Sequence, residues 1–210
     1  MSDKNDKPDL TTRQLLTITT LQTVVMVAIG AGIWQFSQRP LGQFVSLDIP
    51  QTAYGVLLGV VLSVIGWACF TNMRDLTDKL VRMQGDTYFF LKEKLSPNAI
   101  IWISICAGVG EEALFRAGLQ TILTDYLGPV AAIAIASLLF TLVHMAKPVI
   151  SLILFAIGTL FGIIYWYTDS LLIVIIGHAV YDIFALSYLQ KRLHELKFFD
   201  EVPPNDPHTE

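Results

Sequence analysis

The sequence predicts an all-α membrane protein, built as a bundle of about six transmembrane helices with one amphipathic helix at the membrane interface. Three observations lead to this prediction. The 210 residues are 53% hydrophobic and 15% charged, whereas about a quarter of the residues in a soluble domain are charged. The mean hydropathy is +0.56. Six apolar stretches follow one another, separated by short polar or proline-containing segments, as expected of a polytopic membrane protein.

The first part of the chain contains two of these stretches. Residues 1–14 are polar with mixed charge, and we expect them to form a cytoplasmic tail. Residues 15–70 hold the first two transmembrane helices, at about 15–36 and 53–70. No cleavage site of small residues closes the first apolar run, so we interpret it as a retained span rather than a signal peptide.

Two pairs of glycines have the spacing that permits close contact between membrane helices. Gly55 and Gly59 lie in the second predicted span, and Gly158 and Gly162 lie in the fifth. Glycines that are merely tolerated in an apolar helix would give the same pattern, so the sequence leaves both interpretations open.

Residues 71–96 differ from the spans because charged side chains alternate with apolar ones. The apolar residues that recur at helical spacing are Met73, Leu76, Leu80 and Met83. This pattern predicts an amphipathic helix on the membrane surface that ends near Gly85. A helical connector packed on the bundle would show the same pattern.

Residues 97–190 hold the remaining four predicted transmembrane helices, which form the core of the protein. Ser96 and Pro97 are residue types preferred at a helix start. The approximate limits of the four helices are 97–123, 130–145, 149–167 and 171–189. Residues 191–210 contain charges, prolines and few apolar groups, so we expect a frayed or disordered cytoplasmic tail.

The distribution of basic residues predicts the orientation in the membrane. Of the 14 Lys and Arg residues, only Arg39 and Arg116 fall outside the tails and loops that six spans would place on one side. Because loops rich in Lys and Arg stay in the cytoplasm, we expect a multi-pass protein of the cell membrane with both termini cytoplasmic.

A cluster of ionisable residues lies inside the third predicted span. Glu111, Glu112 and Arg116 are surrounded by apolar and small residues, and an ionisable group within a membrane is costly and therefore a functional candidate. Glu112 and Arg116 are four residues apart and can pair on one helix face. Glu111 points about 100° away and stays available for chemistry. Alone, Glu112 and Arg116 would be a structural ion pair.

Two further spans carry polar faces. Phe140 and His144 are four residues apart in the fourth span, as are His178 and Asp182 in the sixth. Polar faces in a membrane turn toward the bundle interior, so we expect both histidines and Asp182 to surround one hydrated cavity with Glu111. Separately, His144 would be an interfacial histidine, and His178 and Asp182 an interhelical hydrogen-bonding pair. Their joint occurrence on three helices favours a functional site.

The depth of these residues in the membrane poses a difficulty. At 1.5 Å per residue, Glu111 lies about 20 Å along its helix from Pro97, whereas His144 lies only about 5 Å from Lys147. The two side chains can meet if the third span begins in the headgroup region, or if the turn at Lys147 is drawn into the bundle. We expect a mixture of both, with Lys147 lining a cavity that opens to the cytoplasm.

The order and spacing of three motifs resemble those of the CPBP family, which includes the Rce1-type CAAX prenyl endopeptidases and the bacteriocin-processing or Abi proteins. The motifs are Glu111-Glu112-x-x-x-Arg116, Phe140-x-x-x-His144 and His178-x-x-x-Asp182. The resemblance covers about residues 97–190 and implies an intramembrane protease. Asp182 stands where the prenyl endopeptidases usually have asparagine, and this departure resembles the bacterial branch.

Peptide hydrolysis needs an activated water and a group that stabilises the developing oxyanion. Our hypothesis is that Glu111 and His144 hold and deprotonate the water, while His178 donates to the oxyanion and Asp182 orients the His178 ring. The resemblance implies the same allocation of roles. The residues expected to support this site are Glu112, Arg116 and Phe140.

We favour a metal-free, glutamic-type peptidase, for which no cofactor is expected. The alternative is a zinc-dependent protease with Zn²⁺ held by Glu111, His144 and His178, because one Glu and two His form a known catalytic zinc set.

Two functions of other classes stay open. One is a non-catalytic immunity or scaffold protein that keeps the pocket for binding. The other is a proton-coupled carrier, although carriers more often show two related halves, which this sequence lacks. The expected partners are membrane lipids and a peptide or membrane-protein substrate, with no nucleic acid, and the oligomeric state is left open.

Overall fold

Helices form most of residues 10–200, the part of the chain that the computed structural model describes. No strand occurs in this part, which confirms the predicted all-α fold. The helices are α1 (Thr12–Phe36), α2 (Ile49–Asn72), α3 (Arg74–Gln84), α4 (Pro97–Glu112), α5 (Thr121–Leu127), α6 (Pro129–Val143), α7 (Pro148–Thr168) and α8 (Leu171–Glu195). A π-helical segment, Ala113–Gln120, joins α4 to α5 without a break, and short 3-10 turns occupy Leu41–Gln43 and Phe89–Leu91.

Five continuous helical stretches (rods) in the described part are long and apolar enough to cross a membrane, which identifies a multi-pass membrane protein. They are α1, α2, the continuous rod Pro97–Leu127, α7 and α8. The remaining predicted span corresponds to α6, whose 15 residues fall short of the roughly 20 that a straight crossing needs. The prediction of about six spans therefore agrees roughly with the structure, with one helix shorter than expected.

Side-chain caps fix where the rods begin. The Thr11 hydroxyl accepts a hydrogen bond from the backbone N–H of Gln14, whose side chain accepts one from the Thr11 backbone in return. Ser96 caps α4, as its residue type predicts, and Ser170 caps α8. Each cap satisfies a backbone N–H that has no partner within the first helical turn.

Glycines bring α2 and α8 into close contact. A Cβ added at Gly55 would lie 2.7 Å from the Cβ of Ile176, and one added at Gly59 would lie 2.5 Å from the Cβ of Val180. A larger residue at either position requires α8 to move. The packing therefore supports the interpretation of Gly55 and Gly59 as helix-contact residues.

The amphipathic helix α3 lies against the end of α8 and uses two different faces. Its buried residues are Thr77 and Val81, which pack toward the bundle. Met73 and Leu76, which belong to the predicted apolar face, are 51% and 44% exposed. Leu80 and Met83 of the same face are half-buried, so only its first part, at Met73 and Leu76, is left available for the membrane interface.

The carboxyl-terminal region is more ordered than the sequence predicts. Helix α8 continues to Glu195, and Leu193 and Phe198 are buried in the cluster that contains Leu91. The expected frayed tail is therefore wrong for residues 191–200, because these apolar side chains pack on the start of α4 and the segment before it. Residues 1–9 and 201–210 lie outside the described part, so the predicted tails are not tested there.

Candidate active site

The two adjacent glutamates end α4, directly before the π-helical segment. Segments of this kind are uncommon and often occur at functional sites. Small residues allow neighbouring helices to approach at this level. A Cβ added at Gly108 would lie 2.7 Å from the Ile175 carbonyl oxygen, and one added at Gly110 would lie 3.2 Å from the Cα of Thr23. Helices α8 and α1 therefore pack directly against α4 beside the glutamates.

Glu112 is completely buried and is bound on both sides. Its Oε2 lies 3.0 Å from Nε of Arg116, which is completely buried as well. Its Oε1 accepts a hydrogen bond from Nδ1 of His178 at 2.8 Å. The predicted pair of Glu112 and Arg116 is thus present in the structure. The same carboxylate also orients the His178 ring, a role that we predicted for Asp182.

The Glu111 carboxylate turns away from Glu112 and faces two imidazole rings. Its Oε2 lies 3.7 Å from Nε2 of His178 and 3.9 Å from Nε2 of His144. Both distances are too long for a direct hydrogen bond. The Glu111 side chain is 17% exposed, whereas that of Glu112 is 0% exposed. The two carboxylates occupy different environments because successive helical residues point about 100° apart.

Asp182 and Phe140 lie at the edges of this group. Oδ2 of Asp182 is 3.5 Å from Nε2 of His178. The Phe140 ring packs against His144, with ring centroids 4.6 Å apart, and its centroid is 5.5 Å from the guanidinium carbon of Arg116. Phe140 therefore contacts both His144 and the buried ion pair. All seven residues named from the sequence lie in one region of the bundle.

The lengths of two helices explain how Glu111 and His144 reach the same depth. The rod Pro97–Leu127 has 31 residues and is about 46 Å long at 1.5 Å per residue, longer than the roughly 30 Å hydrocarbon core of a bilayer. Helix α6 is about 22 Å long by the same rise and ends at Val143, so His144 sits at its end.

Lys147 is exposed and is not part of the cavity lining, so the expectation that it lines the cavity is wrong.

A cavity of about 230 Å³ opens beside Glu111, and both histidines and Asp182 also line it. Two regions for which we predicted no part in the site contribute further polar groups to the lining, namely Thr19, Gln22 and Thr23 of α1 and Tyr88 before α4. Tyr181 of α8 adds another. The convergence of acids and imidazoles from separate helices on one cavity is therefore a feature of the structure.

Comparison with known families assigns this region. Residues 94–184 match the Type II CAAX prenyl endopeptidase Rce1-like family. The resemblance predicted from the three motifs is thus confirmed over this Rce1-like region, which includes every motif residue. The match supports an intramembrane endopeptidase in general. No curated protein and no solved structure matched the chain.

Several cavity residues lie outside the Rce1-like region. Gln22 and Thr23 belong to α1, and Tyr88 belongs to the segment after α3. Burial, followed by the negative charges of Asp182 and Glu111, raises the pKa of the Tyr88 phenol, so this side chain is a neutral hydrogen-bond donor at physiological pH. In the sequence, the α1 part of the cavity lining is indicated only by the spacing of its polar residues, which lie three or four positions after Thr19.

The distances within the site bear on the zinc alternative. Among residues 10–200, no group of three or more His, Cys, Asp or Glu side chains could hold a metal ion. The separations of 3.7 and 3.9 Å between Glu111 and the two imidazoles exceed the roughly 3.4 Å between two tetrahedral zinc ligands at about 2.0–2.1 Å. The three side chains would have to move closer together to hold zinc, and metal dependence stays a prediction for metal analysis.

Proposed function

We propose that the protein is an intramembrane endopeptidase of the glutamic type that hydrolyses a peptide bond with a water activated by Glu111 and His144. The observation that carries this proposal is that the two adjacent carboxylates have different surroundings. Glu112 is buried and bound to Arg116 and His178, whereas Glu111 faces the cavity without a direct hydrogen bond to either imidazole. Glu111 therefore keeps its capacity to bind and deprotonate water.

The tautomer of His144 supports its role beside Glu111. Its Nδ1 lies 2.7 Å from the carbonyl oxygen of Phe140, which can only accept a hydrogen bond, so Nδ1 carries the hydrogen. In neutral His144, Nε2 is then an acceptor that faces Glu111. One water molecule can donate one hydrogen to Oε2 of Glu111 and the other to Nε2 of His144. This arrangement points the oxygen lone pairs toward a substrate carbonyl.

In the proposed reaction, Glu111 carries one proton from the attacking water to the leaving amine. The water oxygen attacks the carbonyl carbon of the scissile bond while its proton passes to the Glu111 carboxylate. Protonated Glu111 then donates this proton to the leaving amine nitrogen as the C–N bond breaks. A new carboxyl group and a new amine result, and Glu111 returns to its ionised form.

His178 is placed to stabilise the oxyanion in this proposal. Its Nδ1 hydrogen is given to Glu112, so Nε2 can donate to an oxyanion only when the ring is a doubly protonated imidazolium. Three carboxylates surround the ring at 2.8 Å (Glu112), 3.5 Å (Asp182) and 3.7 Å (Glu111), and these negative charges stabilise the imidazolium. Arg116 balances the charge of Glu112, so the supporting pair adds little net charge.

The position of the cavity supports access from the cytoplasm. Tyr88 and Phe90, from the segment between α3 and α4, line the cavity. The same segment carries Lys92 and Lys94, and basic residues mark cytoplasmic loops. The substrate is accordingly a peptide or membrane protein whose cleaved bond is reached near the cytoplasmic face.

A cleavage assay with purified protein tests the proposal. Suitable probes are a farnesylated CAAX-type peptide, the same peptide without the farnesyl group, and a single-span transmembrane peptide, each in detergent or nanodiscs. We expect cleavage of at least one probe, with a rate at least 100-fold lower for Glu111→Gln. Glu93→Gln, which changes an exposed glutamate near the start of α4, is the matched control and should cleave like the wild type.

Two outcomes of this assay would contradict the proposal. Glu111→Gln protein that cleaves at the wild-type rate would exclude Glu111 as the base. Folded wild-type protein that binds the probes and cleaves none of them would favour the non-catalytic immunity or scaffold function.

A further inference from the structure

An apolar groove adjoins the candidate active site on the side of α1. It has a volume of about 670 Å³ and lies between α1, the π-helical segment and the end of α6. Its walls include Leu21, Val25 and Val143, which are 61%, 56% and 59% exposed. In a bilayer these side chains face the acyl chains, so the groove is open to the apolar part of the membrane.

Four residues border both this groove and the cavity beside Glu111: Gln22, Met26, Glu111 and His144. Two of them, Glu111 and His144, are the proposed water-activating residues. The other two lie one turn apart on α1. A chain that passes from the groove into the cavity therefore passes these four shared lining residues.

Gln22 carries a carboxamide that is poorly satisfied by the rest of the protein. Among described residues, its side chain makes one hydrogen bond, from Nε2 to Sδ of Met26 at 3.8 Å, and a thioether is a weak acceptor. The neighbouring hydroxyls of Thr19 and Thr23 instead donate to backbone carbonyls of α1. Gln22 is exposed where the groove meets the cavity, so its carboxamide is accessible to a bound chain.

We propose that Gln22 binds the substrate backbone at this passage, an inference that rests on the proposed endopeptidase function. A peptide bond reaches a catalytic group in an extended chain, whose N–H and C=O groups lack intrahelical partners. A carboxamide offers a donor and an acceptor, so Gln22 can pair with one backbone amide of such a chain. The occupant of the groove is thus an extended peptide segment with apolar side chains, held beside Glu111 and His144.

The family match does not assign this role, because Gln22 lies outside residues 94–184. The role also differs from that of the neighbouring polar residues of α1. Thr23 donates to the carbonyl of Cys106 as well as to α1 itself, which joins α1 to α4 and leaves its hydroxyl committed. Among the polar side chains of α1 that line the cavity, Gln22 therefore keeps an amide oxygen without a partner in the described part of the chain and an amide nitrogen with only a weak one.

A binding experiment tests Gln22 without requiring cleavage. The protein carries Glu111→Gln so that the probe stays intact, and a fluorescent single-span transmembrane peptide in nanodiscs is titrated against it. Adding Gln22→Leu should raise the Kd about 10-fold, the effect of losing one or two hydrogen bonds. The matched control is Gln35→Leu, which changes an exposed glutamine of the same helix that borders neither cavity and should leave the Kd unchanged.

Ester substitution in the probe separates a backbone contact from a general effect on the fold. Replacing single peptide bonds by esters removes one N–H at a time. With Gln22 present, one ester position should raise the Kd about 5-fold, and this penalty should disappear in the Gln22→Leu protein because the two changes remove the same contact. An unchanged Kd for Gln22→Leu, or an equal ester penalty in both proteins, would overturn the inference.

Kinetics on any cleaved probe give a second readout. Gln22→Leu should raise KM about 10-fold with little change in kcat, because the contact exists in the bound substrate as well as in the transition state. Unaltered KM together with loss of cleavage in Glu111→Gln would overturn the role of Gln22 and leave the endopeptidase proposal standing. Binding that depends on Gln22 without cleavage of any probe would support the backbone contact and contradict the endopeptidase proposal.

Discussion

The Glu112 carboxylate holds the His178 imidazole by a hydrogen bond of 2.8 Å from Nδ1 to Oε1, within a site where neither residue is appreciably exposed. This contact joins α4 to α8 and directs Nε2 of His178 into the cavity. The neighbouring carboxylate of Glu111 makes no comparably short contact to the same ring. Two consecutive glutamates thus have different roles: Glu112 holds the imidazole ring, and Glu111 faces the cavity.

Because Glu112 and Arg116 form a buried ion pair, we expect single and double variants of this pair to differ in stability but not in activity. Glu112→Leu leaves the Arg116 guanidinium buried without its carboxylate and should lower the free energy of unfolding by about 3–5 kcal/mol. The double variant Glu112→Leu, Arg116→Leu removes both charges and should unfold close to the wild-type temperature. Cleavage should be lost in both, because His178 has lost its orienting partner.

Thermal unfolding in detergent and probe cleavage check this prediction together. Cleavage at the wild-type rate by the double variant would show that the contact between Glu112 and His178 is dispensable. A double variant that unfolds as readily as Glu112→Leu would show that the charges are not the source of the lost stability.

Metal removal distinguishes the glutamic route from the zinc route. We expect purified protein that has been dialysed against a strong chelator to retain its cleavage rate, and metal analysis to find less than one equivalent of zinc per active chain. Activity that is lost on chelation and restored by added Zn²⁺ would instead support the zinc alternative, with binding that requires the ligands to rearrange.

The contact of α2 with α8 depends on glycine at residue 59. A methyl group there would lie 2.5 Å from the Cβ of Val180 and 2.8 Å from the carbonyl oxygen of Gly177, so Gly59→Ala should lower stability by about 1–3 kcal/mol. Gly32→Ala is the matched control, because no atom lies within 4 Å of a Cβ added at Gly32. Melting temperatures in detergent measure both, and equal values for the two variants would contradict the packing argument.

The ion pair that anchors α3 predicts a pH dependence of stability. Asp78 binds Arg192 through two hydrogen bonds of 2.7 Å, and this guanidinium lowers the pKa of the Asp78 carboxyl. A lowered folded-state pKa means that the contribution, about 1 kcal/mol, is fully present above the unfolded pKa of about 3.9. It is lost as the pH falls through the folded-state pKa.

Comparison with Asp78→Asn isolates this contribution from the other carboxylates. The melting temperature of the wild type should exceed that of Asp78→Asn at pH 7, and the difference should shrink below about pH 4. A difference that is constant between pH 7 and pH 3 would show that ionisation of Asp78 does not contribute.

Much of the fold follows from local patterns. Ser96 caps α4 where its residue type predicts a helix start, and the glycine pair in α2 lies at a close helix contact because no side chain fits there. The region around Phe198 was misjudged, since short apolar segments between charges gain their partners only from distant parts of the chain. Leu91 and Ile100, with which Phe198 clusters, are far away in sequence.

In the candidate site, too, local patterns predicted contacts within one helix but not contacts between helices. Spacing of four residues identified the pair of Glu112 and Arg116 correctly, because both lie on one helix. The partner of the His178 ring was assigned to Asp182 on the same helix, whereas the shorter contact comes from Glu112 on another. Gln22 and Tyr88 could not be placed at the cavity, since no local pattern records which helices become neighbours.

The sequence by itself determined that the chain is an all-α membrane protein and which acids and imidazoles are available on each helix, because burial and helical periodicity act over a few residues. The tertiary structure decided which of these groups meet. It set the depth at which Glu111 and His144 come together, through the long rod that contains α4 and the short α6, and it placed α1 across the cavity. These are properties of helix packing, which depend on contacts between residues separated by tens of positions.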